Sequence, residues 1–402
     1  MAHFVVIGAG QAGASLVAEL RNSGFEGEIT LIGEEPVPPY QRPPLSKGYM
    51  LGELSQERLF LRPESFYHDQ NIRLVLGESV SAIDPQSKIV TVGDEAISYD
   101  KLAITTGATP RQLPPSIGGN LQNVFTVRSL ADADAMSEFF QPGKRLLIVG
   151  GGYIGLEAAA VARKKGVDVT LVEMADRILG RVAAPETADY FRALHTDHGV
   201  EIREGLGLKA LLGDDVVSGA EFSDGTRQEF DFIIVGIGIE PNTAIAALAG
   251  LEIENGIKTD SFGQTSDPLI WAAGDCASFP HLGGRIRLES VPNAIDQAET
   301  VARNMLGENE QYVPKVWFWS DQYDIKLQIA GLNVGYDQVV VRPGSTPNAV
   351  SHWYLCGNKL LAVDAMNEPR AYMIGKRLIE AGKSAPVETI QNPDSNLKAL
   401  LK

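Results

Sequence analysis

Two stretches of this chain share one pattern, and that pattern leaves little choice of local fold. Phe4-Val5-Val6-Ile7 is an apolar run followed at once by Gly8, Gly10 and Gly13, by helix-forming residues to about position 21, and by a second apolar run over 29–32 that ends at Glu34 and Glu35. Leu146-Leu147-Ile148-Val149 leads in the same way to Gly150, Gly152 and Gly155, a helical stretch over 156–165, and an apolar run over 167–172 that ends at Glu173. A buried strand, a glycine-rich turn and a helix, with an acidic residue about 20 positions further on, are the signature of a βαβ dinucleotide-binding unit. The first glycine permits the tight turn, the second lets the backbone approach a pyrophosphate, and the third brings the helix against the strand. The helix N-terminus adds free amides and the positive end of its dipole.

The duplication continues beyond the fingerprints. Each is followed by a strand-rich, turn-punctuated segment, residues 72–99 and 201–231, the latter with the turn Ser223-Asp224-Gly225. Each segment ends in a short apolar strand with glycine after it, Leu102-Ala103-Ile104-Thr105-Thr106-Gly107 and Ile233-Ile234-Val235-Gly236-Ile237-Gly238. A third such strand, Ile270-Trp271-Ala272-Ala273-Gly274-Asp275, precedes a helix expected over 292–306. From about 313, β-type runs at 338–341 and 360–363 alternate with turns and end in a helix over 371–381. The pattern predicts an α/β chain with two Rossmann-like dinucleotide-binding domains and a small α+β C-terminal domain. The expected division is 1–110 with 237–312 for the first dinucleotide, 111–236 for the second, and 313–402 for the C-terminal domain.

Chemistry follows from the residues at the strand ends. Glu34 is placed to hold ribose hydroxyls of the first dinucleotide, read as FAD. Asp275, unless it is only a turn residue, accepts from ribityl hydroxyls of the flavin. Ser290-Val291-Pro292-Asn293 reads as a helix start with proline in the first turn, either a plain cap or a dipole end aimed at reduced flavin. Thr106 and Gly107 join the expected FAD set. The second fingerprint, Gly150, Gly152, Tyr153, Ile154 and Gly155, with Gly238 at the neighbouring strand end, is assigned to a nicotinamide dinucleotide. Glu173 binds a 2′-hydroxyl and repels a 2′-phosphate, which favours NADH over NADPH. Arg177 and Arg181 are candidate phosphate partners, although arginines on a solvated face are commoner. Glu157, one turn into the second helix, either offsets the helix dipole or faces the junction between cofactors.

Several longer stretches, Tyr40-Gln41-Arg42-Pro43-Pro44-Leu45-Ser46-Lys47, Gly150 to Glu157, Ala273-Gly274-Asp275-Cys276, Glu289 to Ala294 and Trp317-Phe318-Trp319-Ser320-Asp321-Gln322-Tyr323, resemble one family over essentially the whole chain. It is the FAD-dependent ferredoxin reductases of bacterial monooxygenase and dioxygenase systems. The resemblance implies a glutathione-reductase-like architecture and FAD contacts from Ala12, Glu34, Lys47, Val80, Arg128, Asp275 and Val291, with Arg42 nearby. It implies that Lys47 sits by the reactive edge of the flavin and pairs with Glu157. Trp317 and Trp319, which read by themselves as core or interface aromatics, would cover the flavin and line the docking surface for a [2Fe–2S] ferredoxin. The implied reaction is hydride transfer from NADH to flavin, then single-electron transfer to the ferredoxin of a cytochrome P450 or ring dioxygenase. The helix around Gln297-Ala298-Glu299-Thr300-Val301-Ala302-Arg303 departs from the family in having no cationic cluster for an acidic ferredoxin.

Other classes are disfavoured on composition. A net charge of −16 argues against nucleic acid and anionic lipid as general partners. No apolar run approaches the roughly 20 residues of a membrane span, and Met1-Ala2-His3 enters the first strand without a signal-peptide pattern, so a cytoplasmic location is expected. The two cysteines, Cys276 and Cys356, form no CxxC, and the loop from Tyr40 to Lys47 holds none. Disulfide reductases and thiol-dependent NADH oxidases of this architecture need a thiolate there. Cys276 is expected to be a small buried residue. His195 and His198 are expected on a solvated helical face and not at a metal. A different class stays open: a redox-sensing flavoprotein of the apoptosis-inducing-factor type, acting through protein interaction.

Overall fold

The computed structural model describes residues Met1–Leu401. Contacts divide the chain into two compact units, Met1–Gln41, Gln56–Thr109 and Ile239–Lys315 in the first, and Arg42–Ser55, Pro110–Gly238 and Val316–Lys402 in the second.

In the first unit the fingerprint strand His3–Ile7 lies at the centre of a five-stranded sheet, ordered Ile270–Ala272, Lys101–Ile104, His3–Ile7, Glu28–Gly33, Ile72–Leu76. All four pairings are parallel. Successive side chains of a strand point to opposite faces, and both faces here are apolar. Phe4 and Val6 pack with Leu16, Val17 and Leu20 of the helix Gln11–Asn22 and with Val301 and Met305 of the helix Val291–Leu306. Val5 and Ile7 pack instead with Val90 and Ile97 of the antiparallel meander Val80–Asp84, Ile89–Val92, Glu95–Ser98.

The second unit repeats this plan. Its parallel sheet is ordered Glu201–Glu204, Asp168–Glu173, Arg145–Val149, Phe232–Val235, Val124–Phe125. A second antiparallel meander, Leu208–Gly213, Val217–Phe222, Arg227–Glu229, packs on it through Phe222 and Phe230. The chain's last segment forms a five-stranded antiparallel sheet, Trp317–Gln322, Ile325–Gly331, Lys359–Met366, Val350–Cys356, Gln338–Pro343, backed by the helix Pro369–Glu380. The helices expected over 292–306 and 371–381 are found within two residues of those bounds. The pattern gave no sign of the two-residue edge strand Val124–Phe125. The helix Leu130–Ser137 has a legible start, because Ser129 accepts from the Asp132 amide while Asp132 accepts from Ser129, a capping box.

One expectation is corrected. His195 lies on the helix Pro185–Asp197, but it is fully buried, with Nε2 at 2.7 Å from Gln322 Oε1; only His198, at the helix end, is exposed. The apolar stripe of that helix, with Ala188 and Phe191, continues through position 195, so the imidazole faces inward. Among the described residues no group of histidine, cysteine and carboxylate side chains is arranged to hold a metal.

Burial lowers His195 to about 4, and His352, held by Thr187 Oγ1 at 2.7 Å, likewise to about 4. Both sit below the unfolded value near 6.5, so the unfolded chain binds the extra protons and stability falls as pH drops from about 6.5 towards 4. Asp364, raised by burial to about 6, opposes part of this, since its protonation favours the folded state. In urea titrations at successive pH values, His195→Gln is expected to remove on the order of 3 kcal/mol of the wild-type loss across that window. An acid limb identical to the wild type would show that His195 is not held neutral.

Candidate functional site: two glycine cradles and a buried carboxylate

Parallel pairing brings the expected cofactor residues of the first unit to one sheet edge. Ile7 is in register with Ile32 and Ile104, and Ile104 with Ala272. The residues that follow these strand ends, Gly8, Glu34, Thr106 with Gly107, and Asp275, therefore line the C-terminal edge. Strand order reverses between His3–Ile7 and Lys101–Ile104, the switch point at which open α/β sheets bind ligands. The second unit does the same with Gly150, Glu173 and Gly238, because Val149 is in register with Val172 and Val235.

The glycines divide by role as the fingerprint requires. Gly8 has φ +108°, and a Cβ there would lie 2.3 Å from the Thr105 carbonyl oxygen; a Cβ on Gly13 would lie 2.0 Å from the Gly8 oxygen. Gly150, φ +107°, and Gly155 are closed in the same way, by the oxygens of Gly236 at 2.4 Å and Gly150 at 2.3 Å. Around Gly10 and Gly152 nothing comes within 4 Å of an added Cβ, and neither residue has a side chain to cap the helix it precedes. Each helix thus presents uncapped amides to an open space, the shape that a pyrophosphate fits.

Other expected residues are placed as follows. Ala12 is buried in the first helix, Val80 is half-buried at the start of its strand, and Glu34 is exposed. Thr106 donates its hydroxyl to the Asn242 carbonyl at 2.7 Å, so its side chain serves the turn. Val291 opens its helix with Ser290 as cap, whose Oγ accepts from the Asn293 amide at 3.3 Å. Arg42 Nη1 donates to the Arg128 carbonyl at 2.7 Å. The half-buried Tyr153 packs its ring on Phe318, 5.2 Å between centroids, while Ile154 is exposed. Glu173 accepts from the Gly151 amide at 2.7 Å and the Ala175 amide at 2.8 Å, which fixes the carboxylate at the sheet edge. Arg177, read either as a phosphate partner or as a solvated arginine, is half-buried, and its Nη2 donates to the Ala183 carbonyl at 2.9 Å; Arg181 is exposed.

Glu157 is only 3% exposed. Lys47 Nζ lies 3.0 Å from its Oε1, Ser320 Oγ donates to Oε1 at 2.6 Å, and Ser46 Oγ donates to Oε2 at 2.8 Å. Burial pushes its carboxyl up, while the Lys47 charge and the serine donors oppose the rise. The 3₁₀ turn Pro43–Ser46 delivers both Ser46 and Lys47, and the strand Trp317–Gln322 delivers Ser320. Trp317 and Trp319 are half-buried neighbours with centroids 5.6 Å apart, and Trp317 also contacts Tyr372. Sequence reasoning missed Ser46, Ser320 and Gln322; their one signal was adjacency to Lys47 and two-residue spacing along a strand. Both cysteines are free, with Cys276 buried and its thiol pushed up by burial.

Residues 2–298 match the model of the family described as pyridine nucleotide-disulphide oxidoreductase, and residues 317–401 match that of the reductase C-terminal domain. The chain belongs to the pyridine nucleotide-disulphide oxidoreductase family. It is an oxidoreductase of the α/β glutathione-reductase-like fold. It is 41% identical over 398 residues to rhodocoxin reductase of Rhodococcus erythropolis, covering 98% of this chain and 93% of that protein. It is 42% identical over 383 residues to putidaredoxin reductase of Pseudomonas putida, covering 93% and 91%. Among solved structures, that of the covalent putidaredoxin reductase–putidaredoxin complex matches with a TM-score of 0.96 at 39% identity, covering 100% of this chain and 98% of the other.

The two kinds of glycine separate stability from binding. Gly155→Ala drives a methyl group into backbone and is expected to destabilise the protein by about 1–3 kcal/mol or more. Gly152→Ala meets open space and is expected to leave the unfolding midpoint within about 0.5 kcal/mol of wild type while weakening dinucleotide binding. Urea titration and equilibrium binding of NADH distinguish the two; equal destabilisation by both would contradict the cradle assignment.

Proposed function

We propose that this protein takes hydride from NADH onto FAD and passes single electrons to a [2Fe–2S] ferredoxin that serves a cytochrome P450 or an aromatic-ring dioxygenase, in the cytoplasm. The observation that carries this reading is the combination of two open glycine cradles with a Tyr40 to Lys47 loop that holds no cysteine and presents a lysine paired to a buried carboxylate. Two relatives named as reductases of rhodocoxin and putidaredoxin match over 98% and 93% of the chain.

FAD would be held by residues 1–110 and 237–312, through Gly8, Gly10, Ala12, Gly13, Glu34, Val80, Thr106, Gly107, Asp275 and Val291, with Arg42, Lys47 and Arg128 completing the set. NADH would be held by residues 111–236, through Gly150, Gly152, Tyr153, Ile154, Gly155, Glu157, Glu173 and Gly238. When bound, the flavin supplies the two-electron to one-electron conversion. The protein's share is positioning and electrostatics. The open cradles of Gly10 and Gly152 offer amides to the pyrophosphates, the Glu157 carboxylate fixes Lys47 in place by pairing with it, and the indoles of Trp317 and Trp319 in residues 313–402 provide an aromatic cover and electron exit.

Glu173 supports the choice of NADH. Its two amide bonds hold a negative charge where a 2′-phosphate would go, and Arg177 is already engaged by a backbone carbonyl. Anaerobic flavin reduction is expected to favour NADH over NADPH by at least about tenfold, a difference of about 1.4 kcal/mol, and Glu173→Ala is expected to narrow that ratio. Equal efficiencies in the wild type would sink the argument from charge.

For the acceptor, a steady-state assay of the purified flavoprotein with NADH and cytochrome c is expected to accelerate strongly when a [2Fe–2S] ferredoxin from a panel is added. No stimulation by any of them, together with a long-lived reduced complex, would overturn the reductase reading and favour the redox-sensor class.

A further inference from the structure

The bonds around Glu157 extend away from Lys47 into a buried chain, and with Glu157 ionised they run in one direction. An ionised carboxylate only accepts, so Ser320 Oγ, 2.6 Å from Oε1, spends its proton on Glu157. Ser320 must then accept from Gln322, which sets the amide Nε2 towards it at 3.1 Å and turns Oε1 towards His195. Gln322 Oε1 accepts from His195 Nε2 at 2.7 Å, so the neutral imidazole carries its proton on Nε2 and leaves Nδ1 as an acceptor. Tyr323 OH, 3.3 Å from Nδ1, is the donor that remains. Every proton in the sequence Tyr323, His195, Gln322, Ser320 points towards Glu157. His195, Ser320 and Gln322 are fully buried, so no water competes within the chain.

We propose that Tyr323, His195, Gln322 and Ser320 are positioning residues that hold Glu157 as the ionised partner of Lys47, and thereby keep Lys47 in place. The proposal rests on the flavoprotein reading of the site, in which Lys47 and Glu157 act at the cofactors. Hydrogen bonds aligned head to tail polarise one another, so the end that meets the carboxylate is a stronger donor than an isolated serine. Burial alone drives the Glu157 carboxyl towards the neutral form, which would leave the Lys47 charge unbalanced. The groups acting on the chain are few. Glu157 faces Lys47 and Ser46 from the Pro43–Ser46 turn and Ser320 from its strand. His195 faces His198 across its own helix end, and Tyr323 faces Arg163 from the helix Tyr153–Lys164. His198 stacks on Tyr323 with centroids 3.6 Å apart, at the end of the chain nearest solvent. His195, lowered by burial to about 4, stays neutral between pH 9 and 5, so a change in Glu157 over that range is not a change in His195.

The test uses the FAD-loaded protein and reads Glu157 directly, by the infrared band of its protonated carboxyl, identified as the band lost in Glu157→Gln, followed from pH 9 to 5. Ser320→Ala removes the terminal donor. Gln322→Leu removes a link that touches neither Glu157 nor Lys47. Both are expected to move the half-titration point of the band up by about one pH unit or more, and the double variant is expected to move it no further than Ser320→Ala alone, because both interrupt one chain. His195→Gln retains a donor to Gln322 and is expected to stay near the wild type. A Gln322→Leu titration at the wild-type position, or additive shifts in the double variant, would refute the proposal. Should Ser320→Ala not fold, Gln322→Leu against His195→Gln decides it. No step needs ferredoxin, so failure of ferredoxin stimulation with an intact shift would remove the reductase reading and leave the chain standing.

Discussion

A charged group removed from water has to be answered from all sides, and the Glu157 carboxylate imposes that demand on the second unit. Desolvating an ion costs several kcal/mol even after relaxation, and only good geometry with every lone pair engaged repays it. Three separated segments supply the answer: the turn Pro43–Ser46 with Lys47, the helix Tyr153–Lys164, and the strand Trp317–Gln322. This explains why the Pro-rich stretch Arg42–Ser55, which comes early in the chain, folds with the second unit. The two prolines fix the turn at low entropic cost, so Ser46 and Lys47 reach the carboxylate from one short, stiff element. Loss of either Lys47 or Ser320 would leave buried charge under-compensated, a larger penalty than the pair itself is worth.

Duplication explains most of what was readable. A fingerprint constrains backbone, and backbone constraints are local: Gly8 and Gly150 are needed for positive φ, Gly13 and Gly155 for contact with a carbonyl only residues away. The strands that flank them are buried on both faces, and so appear in the sequence as unbroken apolar runs. The edge strand Val124–Phe125 has two residues and no period to detect. Long-range pairing is different in kind. Lys47 has the ordinary appearance of a surface lysine, and nothing within ten residues of it announces a carboxylate at 157. Only its resemblance to a family put the two together, and the 3.0 Å approach bears out the pairing.

His195 shows the other way that local reading fails. Two histidines three apart near a helix end look like one solvated patch, yet a helix turns about 100° per residue, so they lie about 60° apart and straddle the boundary between core and water. Phe191, four residues before His195, is the marker of the buried stripe, and His195 continues it. The polar partner that makes this tolerable, Gln322, lies in a different domain of the sequence, and no local pattern could have supplied it.

The strand Trp317–Gln322 joins these themes through its period of two. Phe318, Ser320 and Gln322 fall on one side and meet, in order, the Tyr153 ring, the Glu157 carboxylate and the His195 imidazole. Trp317 and Trp319 fall on the other side and meet each other. One six-residue strand therefore holds a polar chain on one face and, on the other, a pair of indoles, of which Trp317 packs against Tyr372 and the core of the C-terminal domain. A register slip of one residue would exchange the two sets, turning indoles towards a carboxylate and Ser320 and Gln322 towards the apolar face that Trp317 covers. The cost of stranding Glu157 without its donors is thus also what fixes the orientation of both tryptophans, so the side chains proposed to carry electrons out are aimed by the same carboxylate that holds Lys47.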